Sequence, residues 1–142
     1  MNTENTKVAR FRMQGYLVTN TSIRLTGKGI GEDLEFGIAP DGKFNEGEKT
    51  FLLTLNVVAK DKEQNFDLKL TIQGMFEYDT NDMKELISYL SMNSPAIMFP
   101  YIRAYISNIT ALGGIQPIIL PTLNVEGVGK ELLEKMGFDM KS

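Results

Sequence analysis

The sequence contains no cysteine and no histidine among its 142 residues. Without cysteine the chain forms no disulfide and has no thiolate nucleophile, and it is compatible with a reducing compartment. Without histidine it also lacks zinc sites of the Cys/His type and any Ser–His or Cys–His catalytic pair. These two absences argue against an enzyme that depends on a cysteine or histidine side chain.

Long hydrophobic runs and an excess of positive charge are also missing. No segment reaches the roughly 18 apolar residues of a membrane span, and Met1–Arg12 is polar, without a run of signal-peptide length. The net charge of −3 gives no long-range attraction to nucleic acid or anionic membrane. The composition, 42% hydrophobic and 23% charged, is typical of a soluble domain with a core. We expect one domain over residues 1–142, with residues 1–7 disordered.

Alternating apolar residues predict four strands. The first covers Val8–Leu25, with a bulge near Gly15. A short second strand is followed by a loop over 39–49, because Pro40-Asp41-Gly42 is a strong turn signal. The proposed inward-facing residues of the four strands are, in order, Phe11, Met13, Leu17, Ile23 and Leu25; Leu34, Phe36 and Ile38; Phe51, Leu53, Leu55, Val57 and Ala59; and Phe66, Leu68, Leu70, Ile72, Phe76 and Tyr78.

A long apolar helix is the most informative feature that is present. Ser94 and Pro95 predict its N-cap and first residue, and Gly113-Gly114 predicts its end. Arg103, Ser107 and Thr110 form one narrow polar stripe, and apolar residues occupy most of the remaining circumference. Such a helix must be covered on more than one side, for which a second subunit is a natural candidate.

Shorter helices are predicted over Asp82–Met92 and Val125–Met136, with an apolar loop Ile115–Leu123 before the last one. Strands followed by helices indicate an α+β fold: a four-stranded antiparallel sheet packed with a long apolar helix and a shorter C-terminal helix. The apolar loop either packs on the sheet or presents a binding surface.

Few residues are candidates for chemistry. Gly27-Lys28-Gly29-Ile30-Gly31 lacks the Ser/Thr end of a phosphate-binding loop, which favours a plain turn. Asp41, Glu46 and Glu48 lie in a polar segment and are interpreted as solvated charges rather than an acid–base pair. Arg103 has a structural or a ligand-binding role.

The helix and loop also resemble a known family. Phe99-Pro100-Tyr101 with Arg103, then Gly113-Gly114, Pro117, Leu120-Pro121 and Asn124, resemble the signature of SecB, the bacterial protein-export chaperone. Met13-Gln14-Gly15-Tyr16 resembles the first strand of that family, and Gln73-Gly74-Met75-Phe76 its turn toward the first helix. The resemblance covers about residues 11–137.

The resemblance implies a cytoplasmic, ATP-independent holdase that needs no cofactor and binds unfolded preproteins. It implies a homotetramer, a dimer of dimers, with the long helices between the sheets. The implied client groove comprises Leu34, Phe36, Ile38, Ile115, Ile118, Leu120, Leu132 and Met136. The implied oligomer interface comprises Ile97, Tyr101, Ile102, Tyr105, Ile106 and Ile109.

The family docks the translocation motor SecA through acidic residues on the exposed sheet face. The corresponding face here is assigned to Asn20, Arg24, Asp67, Lys69 and Glu77. Asn20, Arg24 and Lys69 stand where the family carries carboxylates, which disfavours a basic SecA tail. Two alternatives therefore stay open: a SecB-like chaperone dedicated to another client such as an antitoxin, and a carrier of an apolar small molecule.

Overall fold

The computed structural model describes residues 11–122 and 124–138. Four strands, β1 (Phe11–Leu25), β2 (Leu34–Asn45), β3 (Thr50–Asp61) and β4 (Phe66–Tyr78), precede the helices α1 (Met83–Ser88), α2 (Ser94–Leu112) and α3 (Val125–Lys135). The strands form one antiparallel sheet in the order β1-β4-β3-β2. The predicted α+β fold, with its long helix and its shorter C-terminal helix, is confirmed. The proposed disorder of residues 1–7 lies outside the described residues.

The period-two pattern of β3 and β4 places their apolar side chains on one face, as predicted. Phe51, Leu55, Leu68 and Ile72 are at most 1% exposed. The helices cover this inner face, and the opposite, outer face carries the polar residues of the strands. The sheet is therefore buried on one side only, as is common for antiparallel sheets.

Strand β1 departs from a single parity because it contains two bulges. The register with β4 shifts between Met13 and Gly15 and again between Val18 and Asn20. The first shift confirms the predicted bulge near Gly15. Each shift moves the following side chains to the other face. Leu17, expected to face inward, therefore pairs with Gln73 on the outer face and is 64% exposed.

The predicted turn at Pro40-Asp41-Gly42 is wrong, because β2 continues to Asn45 and the turn comes after it. Pro40 pairs with Leu55 and Gly42 with Leu53 in an unbroken register. Since β2 is an edge strand, one of its sides has no strand partner, and a proline lacking an N–H is tolerated there.

The start of α2 also differs from the prediction, because Ser94 is not an N-cap. A π-helical turn, Tyr89–Asn93, joins α1 directly to α2, and the Ser94 hydroxyl donates to the Leu90 carbonyl at 2.6 Å. Pro95 has no N–H to offer the Ser91 carbonyl four residues earlier. Helix α3 packs closely against the Ser91 carbonyl through Gly129. A methyl group on Gly129 would lie 1.9 Å from the Ser91 carbonyl oxygen, so a larger residue would clash there.

The other helix ends agree with the sequence. Gly113 caps α2 and Gly114 follows with φ of +91°, a conformation that favours glycine. Helix α3 begins after Asn124, whose side-chain oxygen accepts from the Gly127 N–H at 3.0 Å. These ends place the segment from Ile115 to Thr122 between α2 and α3.

A buried carboxylate holds the loop between β1 and β2 in place. Asp61 is 1% exposed and accepts from the backbone N–H groups of Asn65 at 2.9 Å, Phe66 at 3.0 Å and Gly31 at 3.0 Å. The hydrogen bond from Gly31 lowers the pKa of Asp61 most; burial opposes it, and the bonds from Phe66 and Asn65 add to it. Because the Gly31 N–H already donates to Asp61, it is not available to bind a phosphate. The glycine-rich segment is therefore a structural turn.

We predict that Asp61→Asn lowers the melting temperature by about 5 °C, because an amide replaces one acceptor oxygen with a donor that meets an N–H. The lowered pKa makes the stabilisation by Asp61 complete above the unfolded-state value of about 3.9 and lost as pH falls through the folded-state value. The melting-temperature gap between the two proteins should therefore narrow in acid. Asp67→Asn, on the outer face, is the matched control, and an equal loss in that variant would contradict the assignment.

Candidate functional site

An open groove lies between the edge strand β2 and the segment before α3. It has a volume of about 230 Å³. Its lining consists of Phe36, Gly37, Ile38, Val57, Phe99, Leu120, Pro121, Thr122, Asn124 and Val128, none of which is charged. The groove is therefore suited to apolar groups, with backbone and two polar side chains at its rim.

One wall of the groove depends on the polar stripe of α2. The Thr110 hydroxyl accepts from the Ile118 N–H at 3.0 Å and donates to the Ile106 carbonyl at 2.7 Å. The Ser107 hydroxyl donates to the Ile118 carbonyl at 3.0 Å. Both backbone groups of Ile118 are thus satisfied, which lets an irregular apolar segment pack against the helix. The packing of this segment leaves Ile119 62% exposed and Leu120 only 4% exposed.

The proposed groove residues fall into two groups. Phe36, Ile38 and Leu120 line the groove. Ile118 and Leu132 are not among the residues that line this groove, and both are buried in the core of the subunit. The remaining three are half-buried away from this groove: Leu34, Ile115 and Met136, the last lying over Gly42.

Sequence reasoning missed several lining residues. Val57 was assigned only to the sheet core, and Val128 only to the last helix. Phe99 was quoted in the signature without a role, although it stands four residues before Arg103 and so shares a helix face with it. Only the packing of α2 beside the apolar segment shows that Phe99 borders the groove.

The proposed interface residues of α2 are also divided by the fold. Ile102 and Ile106 are 0% exposed within the subunit, because this side of α2 faces the sheet. Ile97, Tyr105 and Ile109 are half-buried at its flanks. The rings of Tyr101 and Tyr16 pack against each other with a tilt of 37° and a centroid distance of 4.7 Å, and the Tyr105 hydroxyl lies 2.7 Å from the Thr21 hydroxyl.

The opposite side of α2 is open and has little charge. Its exposed residues are Ala96, Pro100, Tyr101, Arg103, Ala104, Asn108, Ala111 and Leu112. Leu112 is 87% exposed, and four of the eight exposed residues are alanine or proline. A partner could approach the helix axis closely here, since alanine and proline project little.

The proposed docking residues all lie on the outer face, but not together. Arg24 pairs with Asp67 in the β1–β4 register, and Lys69 lies one step away opposite Ser22. Asn20 is near the middle of the sheet, opposite Thr71, and Glu77 is at the far end. The side chains of Arg12 and Gln14 donate hydrogen bonds to the Glu77 carboxylate. Both bonds lower the pKa of Glu77, and the bond from Arg12 has the larger effect. Arg24 and Lys69 are exposed and form no ion pair with another described residue.

Within residues 11–122 and 124–138, no acidic side chains are grouped in threes where a metal ion could be held. Asp41, Glu46 and Glu48 are all exposed. In the same ranges no helix is long and apolar enough to cross a membrane.

Comparison with known proteins agrees with this architecture. The family model described as preprotein translocase subunit SecB matches residues 35–134. The chain is 30% identical over 97 residues to the protein-export protein SecB of Dinoroseobacter shibae, covering 65% of this chain and 56% of that protein. It is 32% identical over 100 residues to an uncharacterised protein of Methanocaldococcus jannaschii. That match covers 67% of this chain and 64% of the relative. The matches thus span about three fifths of these relatives.

A solved structure shows the same fold. The SecB-like chaperone of Mycobacterium tuberculosis, in complex with a ChAD peptide from the HigA1 antitoxin, superposes with a TM-score of 0.65 at 18% identity. The superposition covers 81% of this chain and 88% of that one. Both chains thus share a fold in which helices cover one face of a four-stranded antiparallel sheet. The chain belongs to the SecB family.

Proposed function

We propose that this protein is an ATP-independent chaperone that holds unfolded polypeptides and has no catalytic activity. The observation that carries the proposal is the open, uncharged groove between β2 and residues 120–122. An unfolded segment gains roughly 25 cal/mol for each Å² of apolar surface that it buries, less the cost of ordering it. Membership of a chaperone family supports the same reading.

A single groove of about 230 Å³ accommodates only one or two side chains, so each contact is weak. Several grooves on one assembly would raise the apparent affinity through effective concentration. We therefore propose a homotetramer, a dimer of dimers, in the cytoplasm. The exposed side of α2 supports assembly because one charged residue, Arg103, is found among its solvent-facing positions.

Unfolded preproteins destined for export are the clients that the family relationship favours. Arg24 and Lys69 favour a second candidate, a chaperone dedicated to a client such as an antitoxin and without the usual SecA docking. The complex of the Mycobacterium tuberculosis relative with an antitoxin peptide supports that candidate. A carrier of an apolar small molecule is the third, and a lipid found by mass spectrometry in the purified protein would support it.

We predict that Ile38→Asn weakens binding of a permanently unfolded, fluorescently labelled protein by about fivefold or more, because a polar amide then lines the groove. Anisotropy titration measures the affinity, and light scattering checks that assembly is unchanged. Val58→Asn, on the outer face of the neighbouring strand, is the control. If Ile38→Asn binds the unfolded protein as tightly as the unmodified chain does, or if the control loses as much affinity, the groove is not the client site.

We predict that the unmodified protein scatters light as a tetramer of 15.9 kDa subunits, and that Ala104→Glu reduces it to smaller species. A carboxylate buried against a second subunit without a partner is strongly unfavourable. Ala39→Glu makes the same change on the outer sheet face and should leave assembly intact. A stable monomer of the unmodified protein at micromolar concentration would contradict the prediction. Ile106 is one of the proposed interface residues, but a substitution there tests folding of the subunit, because Ile106 is buried within it.

We predict weak or absent binding of the basic tail of SecA, and stronger binding after the double change Arg24→Glu with Lys69→Glu. Titration calorimetry should show a gain that shrinks with salt, since exposed charges are screened over about 8 Å at physiological ionic strength. Lys130→Glu with Lys135→Glu changes the net charge equally on α3 and should give no such gain. Tight, salt-sensitive binding by the unmodified protein would mean that other acidic residues, such as Asp67, perform the docking.

A further inference from the structure

Helix α3 covers only one half of the free edge of β2. Pro40 is buried, and Met136, at the C-terminal end of α3, lies over Gly42. Phe36 and Ile38 are half-buried and line the apolar groove. The edge is therefore covered from Pro40 onward and open up to Ile38, beside the groove.

Pro40 and Gly42 show which backbone groups of β2 point toward this edge. Alternate residues of an antiparallel strand direct both backbone groups to the same side. A proline in a sheet turns its nitrogen toward the edge that has no partner, because it has no N–H. The Gly42 N–H donates to the Asp41 side chain at 2.9 Å. Both residues thus place the even-numbered positions of β2 toward the free edge, so Phe36 and Ile38 direct their N–H and carbonyl groups there.

The two halves of the edge differ in how these backbone groups are satisfied. In the covered half, Pro40 has no donor and the Gly42 N–H has a local acceptor, so neither residue leaves an unpaired N–H under α3. In the open half, no backbone hydrogen bond from outside the sheet reaches Phe36 or Ile38 within the described part of the chain. Their donors and acceptors are therefore available to a second chain beside the groove.

We propose that an extended apolar segment of a client binds as a fifth, antiparallel strand on β2 over residues 34–38, and that Pro40 fixes where this strand ends. The client residues opposite Phe36 and Ile38 then exchange both backbone bonds with them. The side chains of these client residues point to the same face as those of Phe36 and Ile38, which is the face of the groove. This inference rests on the proposed holdase function and adds how the client backbone is held.

An unfolded segment fits this edge better than a second folded copy of the chain. Only about five residues, roughly 17 Å of strand, are open before Pro40 and α3 interrupt the edge. Short edges interrupted by proline are a common means by which folded proteins avoid pairing with their own copies. Backbone bonds accept any residue except proline, whereas the groove selects apolar side chains at alternate positions. The combination gives the broad specificity that a holdase needs.

N-methylated peptides test the backbone bonds without changing a side chain. The parent is a labelled peptide of seven residues with apolar side chains at positions 2, 4 and 6 and serine at the others. Methylation of the nitrogens at positions 2, 4 and 6 removes the donors that face β2, and we expect it to weaken binding at least about fivefold by anisotropy. Methylation at positions 3, 5 and 7 adds as many methyl groups on the other side and should leave the affinity within about twofold.

Amide hydrogen exchange, followed residue by residue by NMR, tests the same site on the protein. With the permanently unfolded protein bound, the Phe36 and Ile38 amides should exchange several-fold more slowly, because they then donate to the client. The Gly37 amide, which faces β3, should change little. The Phe44 amide should gain no protection, because pairing stops at Pro40.

The outcomes separate this inference from the function on which it rests. Equal effects of the two methylation patterns, or a loss confined to positions 3, 5 and 7, overturn the antiparallel strand and leave the holdase intact if Ile38→Asn still weakens binding. Protection of Phe36 and Ile38 without a client also overturns it, because another copy of the chain would then cover the edge. Protection that extends to Phe44 overturns the role of Pro40. Failure of both the parent peptide and the unfolded protein to bind overturns the proposed function itself.

Discussion

Covering the apolar inner face of the sheet is the constraint on which the rest of this molecule depends. Every second residue of β3 and β4 is buried, so one whole face of the sheet needs protein above it. Helix α2 covers that face with one side only. The remainder lies toward β2 and is covered by α3 and an irregular segment, which together leave a groove beside the edge strand.

The irregular segment is stable because its backbone is satisfied locally. Two hydroxyls on α2, those of Ser107 and Thr110, bind both backbone groups of Ile118. Without these bonds, burying Ile118 would leave an N–H and a carbonyl unpaired, at a cost of about 1–3 kcal/mol each. Ser107 and Thr110 belong to the polar stripe that the sequence shows on α2. These two residues of the stripe therefore hold the following segment of the same chain.

The outer face of the sheet and the surface of α2 differ in the number of charged residues that they carry. The outer sheet face mixes cations and anions, some of them paired as in Arg12 with Glu77. The surface formed by α2 and the segment after it has Arg103 as its only charge. Apolar surface of this extent is costly to leave in water. In our proposal subunit assembly covers one part of it and clients cover the other.

The sequence by itself determined the elements and the family. The alternation in β3 and β4, the Gly113-Gly114 stop and the order of strands and helices need only local physics, and each is present in the structure. Tertiary packing decided the rest. Pro40 predicts a turn from sequence, but its position on an edge strand makes it compatible with β2. Ser94 predicts an N-cap, but the π turn over Tyr89–Asn93 continues the helix on its N-terminal side. Leu132 and Phe36 look alike in sequence, yet one is core and the other lines a groove, because exposure depends on where α2 and α3 lie over the sheet, a long-range arrangement that no local pattern encodes.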